Sequence, residues 1–160
     1  MGYIMPIEYI VINLILAAAI GSTTVYIAYQ QYNINRARLN YEAYDRRLKI
    51  YQSARELFNV VGQHGTVRYE DMRTFYSDTQ EADFLIGTEC REYINQLYKE
   101  GIKLAQLNKE MYLENGQPNP RLPSGEERNA IADAHDQLLT WFINEEEKLK
   151  IRFSPYLRIE

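Results

Sequence analysis

The chain has 160 residues with 18 Lys and Arg against 22 Asp and Glu, a net charge of −4. That acidic balance argues against nucleic acid as a partner, since phosphate affinity comes from clustered Lys and Arg. The single cysteine, Cys90, excludes an internal disulfide and suits a reducing cytoplasm.

The first element decides where the protein resides. Tyr9 to Tyr29 is a run of 21 residues without a charge, and a helix of that length spans about 30 Å, the hydrocarbon thickness of a bilayer. A cleaved signal peptide would use the small residues Ala17, Ala18 and Ala19, but no Lys or Arg precedes the run and its apolar character continues through Val25 to Tyr29. A buried core helix seldom runs so long without a charge. The expectation is a retained single span, with residues 1–33 as anchor and 34–160 as a cytosolic helical domain. Only Glu8 is charged ahead of the span, whereas residues 36–55 hold six basic and two acidic side chains, +4. By the positive-inside rule the N-terminus lies outside and the C-terminus in the cytoplasm, in an inner or plasma membrane. Tyr3 and Tyr9 at one end, with Tyr26, Tyr29 and Tyr32 at the other, suit aromatic belts at the interfaces.

Small residues occupy one side of the span. Asn13, Ala17, Gly21, Thr24 and Ala28 repeat at spacings of three and four, which allows two helices to approach closely, with Asn13 free to add an interhelical hydrogen bond. Self-association is therefore expected. Of the basic run, Arg36, Arg38, Arg46 and Arg47 are expected to meet anionic headgroups, each cation near the surface contributing roughly 1 kcal/mol. A dedicated lipid or nucleotide site built from Arg46, Arg47 and Arg55 is the sharper alternative, but topology already accounts for those charges.

Helical periodicity continues past the span without a breaker. Ile34, Ala37, Tyr41, Tyr44, Leu48, Tyr51, Ala54, Phe58 and Val61 form one apolar stripe, ending at Gly62-Gln63-His64-Gly65. A shorter helix over 69–80 places Met72, Phe75, Tyr76 and Thr79 on one side. Phe84 to Gly87 reads as a connector, and Thr88 as the cap of a third helix. That helix runs to about Glu114, buries Ile94, Leu97, Tyr98, Leu104, Ala105, Met111 and Tyr112, and stops at Asn115-Gly116. The prolines from Pro118 to Pro123 make the main loop. Ser124 to Glu127 reads as a capping box. It opens a last helix whose stripe is Ile131, Ala134, Leu138, Trp141, Phe142 and Leu149, with Trp141 and Phe142 in the core. Pro155 ends it, and Tyr156, Leu157 and Ile159 are apolar enough to fold back. The fold class is all-α: a transmembrane helix continuing into an antiparallel bundle of four unequal helices.

Catalytic patterns are missing. Cys90 stands among Tyr93, Ile94 and Leu97 as a small core residue, with Glu89 and Glu92 opposing a reactive thiolate. His64 and His135 lack the E-x-x-H partners of a di-iron bundle and the spacing of a zinc site. Glu145-Glu146-Glu147 reads as a solvated face rather than a metal site. Phosphate-binding glycine loops and a nucleophile elbow are absent. No enzyme activity, metal or cofactor is expected.

Several residues carry a resemblance. Leu39 and Tyr44-Asp45-x-Arg47-x-x-x-Tyr51, Phe75 followed by Ala82-x-Phe84-Leu85, Trp141-Phe142, and Phe153-x-Pro155-Tyr156-Leu157 resemble a family of small bacterial membrane proteins. These have one N-terminal span and a cytosolic helical domain, mostly without an assigned activity. The resemblance implies an inner-membrane location and no substrate. Its members' setting among mobile-element genes implies a defence-related alternative, a membrane effector whose bundle senses a ligand or partner and rearranges the spans. The leading expectation is a non-enzymatic interaction module, homo-oligomeric, that presents its bundle to a cytoplasmic protein partner.

Overall fold

The computed structural model describes residues 6–113, 116–122 and 124–158. Tyr3, Glu114, Asn115, Pro123 and Ile159, which carry sequence expectations above, lie outside the described residues. The chain is all-helical: α1 is Ile7–His64, α2 Tyr69–Thr79, α3 Ala82–Leu85, α4 Thr88–Met111 and α5 Glu126–Phe153. No strand occurs among the described residues, apart from an isolated bridge between Tyr112 and Pro118 in the loop. The residues divide into two compact units, Met1–Glu42 and Ala43–Glu160.

The first unit consists of the N-terminal part of α1, and every described residue in it is exposed. It includes a helical stretch long and apolar enough to cross a membrane, none of it buried in its own chain. The serine and threonine hydroxyls within this stretch bond to the helix itself. Ser22 Oγ and Thr23 Oγ1 donate to the Ala19 carbonyl at 3.0 and 2.8 Å, and Thr24 Oγ1 donates to the Ile20 carbonyl at 2.8 Å. Such back-bonding gives each hydroxyl a partner without water.

The second unit has a real core. From α1 it takes Ile50, Ala54, Leu57, Phe58 and Val61. Ile34, Ala37 and Tyr41, the start of the expected stripe, are exposed in the first unit instead. Edge-on aromatic pairs join the layers: Phe58 meets Phe142 at 5.9 Å between centroids, and Tyr51 meets Phe153 at 5.6 Å. Where α2 meets α4, Gly101 leaves room for Met72; a Cβ there would stand 2.5 Å from the Met72 sulfur.

Helix boundaries follow local chemistry, with some departures from expectation. α1 runs through Gly62, where a helical glycine costs only about 1 kcal/mol, and stops at His64. There Gly65 takes φ 65° and its N–H reaches the Val61 carbonyl at 2.8 Å. α2 opens at Arg68, whose backbone N–H donates to Asp71 Oδ2 at 3.1 Å while its guanidinium donates to both Asp71 oxygens. The expected connector at Phe84 contains a single helical turn, which buries Ala82 and leaves Phe84 90% exposed. Gly87, rather than Thr88, occupies the cap position of α4. Likewise α5 starts at Glu126 behind Gly125, with no side-chain cap. The capping box does not form, because Gly125 at φ 142° puts the helix start one residue later than the Ser124 register requires. Tyr76 is exposed, with its ring 5.2 Å from that of Tyr98. Tyr112 is exposed too. Phe142 is buried, but Trp141 is only half-buried and packs on the core from outside.

Candidate functional site

The residues expected to line a helix–helix contact, Asn13, Ala17, Gly21, Thr24 and Ala28, all lie exposed on α1. A Cβ added at Gly21 would meet nothing within 4 Å, so the groove there is open. Thr24 turns its hydroxyl onto its own helix, as described, and presents its methyl group. The Asn13 amide has no hydrogen-bond partner among the described residues.

The basic run separates into two groups. Arg38 pairs with Glu42 one turn along at 2.9 Å and stays largely exposed, and Arg36 makes no ion pair among the described residues. The later residues bind within the second unit. Arg46 pairs with Glu81 at 3.6 Å and Lys49 with Asp78 at 3.0 Å. Arg47 Nε donates to the Leu85 carbonyl at 2.9 Å in a part-buried contact. Arg46, Arg47 and Lys49 thus tie α1 to the end of α2 and to α3. Only the acids at Asp78 and Glu81 hint at this in the sequence, and nothing local links them to Lys49 and Arg46, 29 and 35 positions earlier.

Where α4 meets α5, polar groups are held in a tight cluster. The Tyr93 hydroxyl donates to the Glu145 carbonyl at 3.0 Å, and the Arg152 guanidinium lies 4.7 Å over the Tyr93 ring. Arg152 also reaches Glu89 at 3.2 Å. Glu145 is 8% exposed, with Lys148 on its carboxylate, so the three-glutamate run is not uniformly solvated: its first member turns inward and carries its own cation. Burial pushes the Cys90 thiol up to about 12 and the Tyr93 phenol well above its ordinary range. A thiol so raised stays protonated at neutral pH and is a poor nucleophile. Among the described residues no three His, Cys, Asp or Glu side chains gather as a metal-ligand set.

Comparison with known proteins is brief. No family model, curated protein or solved structure matches the chain.

One further concavity lies between α4 and α5. It is a groove of about 500 Å³ lined by Glu100, Lys103, Leu107, Glu110, Leu138 and Trp141 among others. Its acids have local partners: Glu100 pairs with Lys103 at 2.9 Å, and Glu110 accepts a hydrogen bond from the Gln106 amide at 3.0 Å. Leu107, Ala134, Leu138 and Trp141 are its apolar components.

Proposed function

We propose that this chain is a membrane-anchored, non-enzymatic interaction module: a single-pass span at the N-terminus holds a helical bundle in the cytoplasm for a protein partner. One observation carries the reading. The N-terminal part of α1 offers an uncharged apolar surface of bilayer length, with no part of it buried and its serine and threonine hydroxyls satisfied internally. An apolar surface of that size needs a cover, and a bilayer supplies one of matching dimension.

The bundle reading is antiparallel. Tyr93 near the start of α4 contacts Glu145 late in α5, while the groove joins Glu110 late in α4 to Ala134 early in α5. That order of contacts supports two helices running in opposite senses. The non-enzymatic part is supported by the engagement of the reactive groups: the thiol is buried and protonated, and the phenol is bonded to main chain. Headgroup contact is open to Arg36, Arg38 and Arg46, whose side chains stay exposed, whereas Arg47 is part-buried against the Leu85 carbonyl. Self-association is supported by the open face at Gly21 and the unpartnered Asn13 amide.

A reporter fused to the C-terminus tests the orientation. Activity of a cytoplasm-dependent reporter, with none from a periplasm-dependent one, is expected from the charge asymmetry. The reverse pattern overturns the topology.

A further inference from the structure

The exposed part of α1 contains a second regularity besides the small-residue face. Ile20, Ile27, Ile34 and Tyr41 recur every seven residues, and Thr23, Gln30 and Ala37 interleave three residues after each of the first three. All seven lie in the first unit and are exposed: Ile20 59%, Ile27 49%, Ile34 64% and Tyr41 54% among the large ones. At about 100° per residue the mean direction of this seam is roughly 120° round the helix from that of the Ala17–Gly21–Thr24–Ala28 face. The two are different surfaces.

A strict seven-residue repeat drifts on a straight helix and stays in line only when two helices supercoil left-handedly about each other. It therefore matches another helix with the same repeat better than a globular surface. We propose that this occupant is a second copy of the chain, paired parallel and in register, with Ile20, Ile27, Ile34 and Tyr41 at the a positions and Thr23, Gln30 and Ala37 at the d positions. Gln30 lies midway along the seam, its amide bonded to its own Tyr26 hydroxyl at 3.0 Å. The flanks are compatible: in a parallel pair Asn33 of one copy meets Arg38 of the other, and Tyr26 meets Gln31. No like charges are apposed, and each pair can hydrogen-bond. The parallel sense rests on the membrane-anchor reading, because copies inserted the same way can only lie side by side with their ends together.

Cysteine scanning of the full chain in native membranes tests this. In a Cys90→Ala background, single substitutions Ile27→Cys, Ile34→Cys, Ala37→Cys and Tyr41→Cys sample the seam. Arg36→Cys and Leu39→Cys sample the opposite side, and Ala17→Cys, Gly21→Cys, Thr24→Cys and Ala28→Cys the small-residue face. Mild oxidation is expected to give about fivefold more disulfide-linked dimer at the seam positions than at residues 36 and 39. A flat profile, or one peaking at 36 and 39, overturns the seam. Peaks confined to residues 17, 21, 24 and 28 also overturn it, leaving association through the small-residue face. The same membranes are washed with alkaline carbonate: seam cross-links in a protein released by that wash keep the pairing and overturn the anchor reading instead.

Discussion

The Arg47 guanidinium donates from Nε to the main-chain oxygen of Leu85 across 2.9 Å. Leu85 is the last residue of α3, whose terminal carbonyls have no partner within a single helical turn. A cation there satisfies one of them and complements the helix end. An arginine whose position beside the span suggests lipid contact thus holds α1 to α3.

Arg47→Ala should accordingly lower stability by about 1–2 kcal/mol, the range for losing a hydrogen bond to a charged group and leaving its acceptor unpaired. Arg36→Ala should change it by less than about 0.5 kcal/mol, as exposed substitutions do. Denaturant unfolding of the full chain in detergent micelles, followed by circular dichroism, separates the two. Equal effects would remove Arg47 from the structural role.

The adjacent aromatics should differ as well. Phe142 is 1% exposed and stacks edge-on against Phe58, so Phe142→Ala should cost about 3–5 kcal/mol. Trp141 covers the core from the groove, and Trp141→Ala should cost clearly less, about 1–2 kcal/mol for the apolar area it keeps from water. Both are read from the same unfolding midpoints. A larger loss at Trp141 would place it in the core.

Sequence pattern alone identified the apolar run, the all-α class, the bounds of α2 within a residue and the burial of Cys90. It blurred where packing rather than periodicity decides. A 3–4 stripe traced from Ile34 passes through Tyr44, Leu48 and Tyr51, and runs beside Ile50 and Leu57, which the core buries. Both stripes satisfy helical spacing, and which of them meets α4 and α5 depends on contacts distant in sequence. The cap at Gly87 is illegible for a similar reason: Gly87 lies against Tyr156, whose hydroxyl stands 2.3 Å from where a Cβ would be, whereas Gly125 meets nothing within 4 Å and is set by its own φ of 142°. The partition of the basic run depends on Asp78, Glu81 and the Leu85 carbonyl, none of them local.

Acid should expose the α2 cap. The hydrogen bonds from Arg68 hold the Asp71 carboxyl below the usual carboxylate range. A depressed folded-state value means that the contribution is fully present above the unfolded value, about 3.9, and is lost as pH falls through the lower folded value. Asp71→Asn should therefore destabilise by about 0.5–1 kcal/mol at neutral pH, as lost helix caps do. That difference should shrink below about pH 4. A mutant penalty that is constant from pH 7 to pH 3 would show that the charge of Asp71 is irrelevant to the cap.

The central claim is that the apolar part of α1 is kept and lies in the bilayer. Its most direct test is alkaline carbonate extraction of membranes, with the intact mass of the protein measured in the pellet and in the supernatant. The expected result is the whole 18.9 kDa chain in the pellet, released only by detergent. Recovery of the intact chain in the supernatant, or of a shorter chain cut near Ala19, would contradict it.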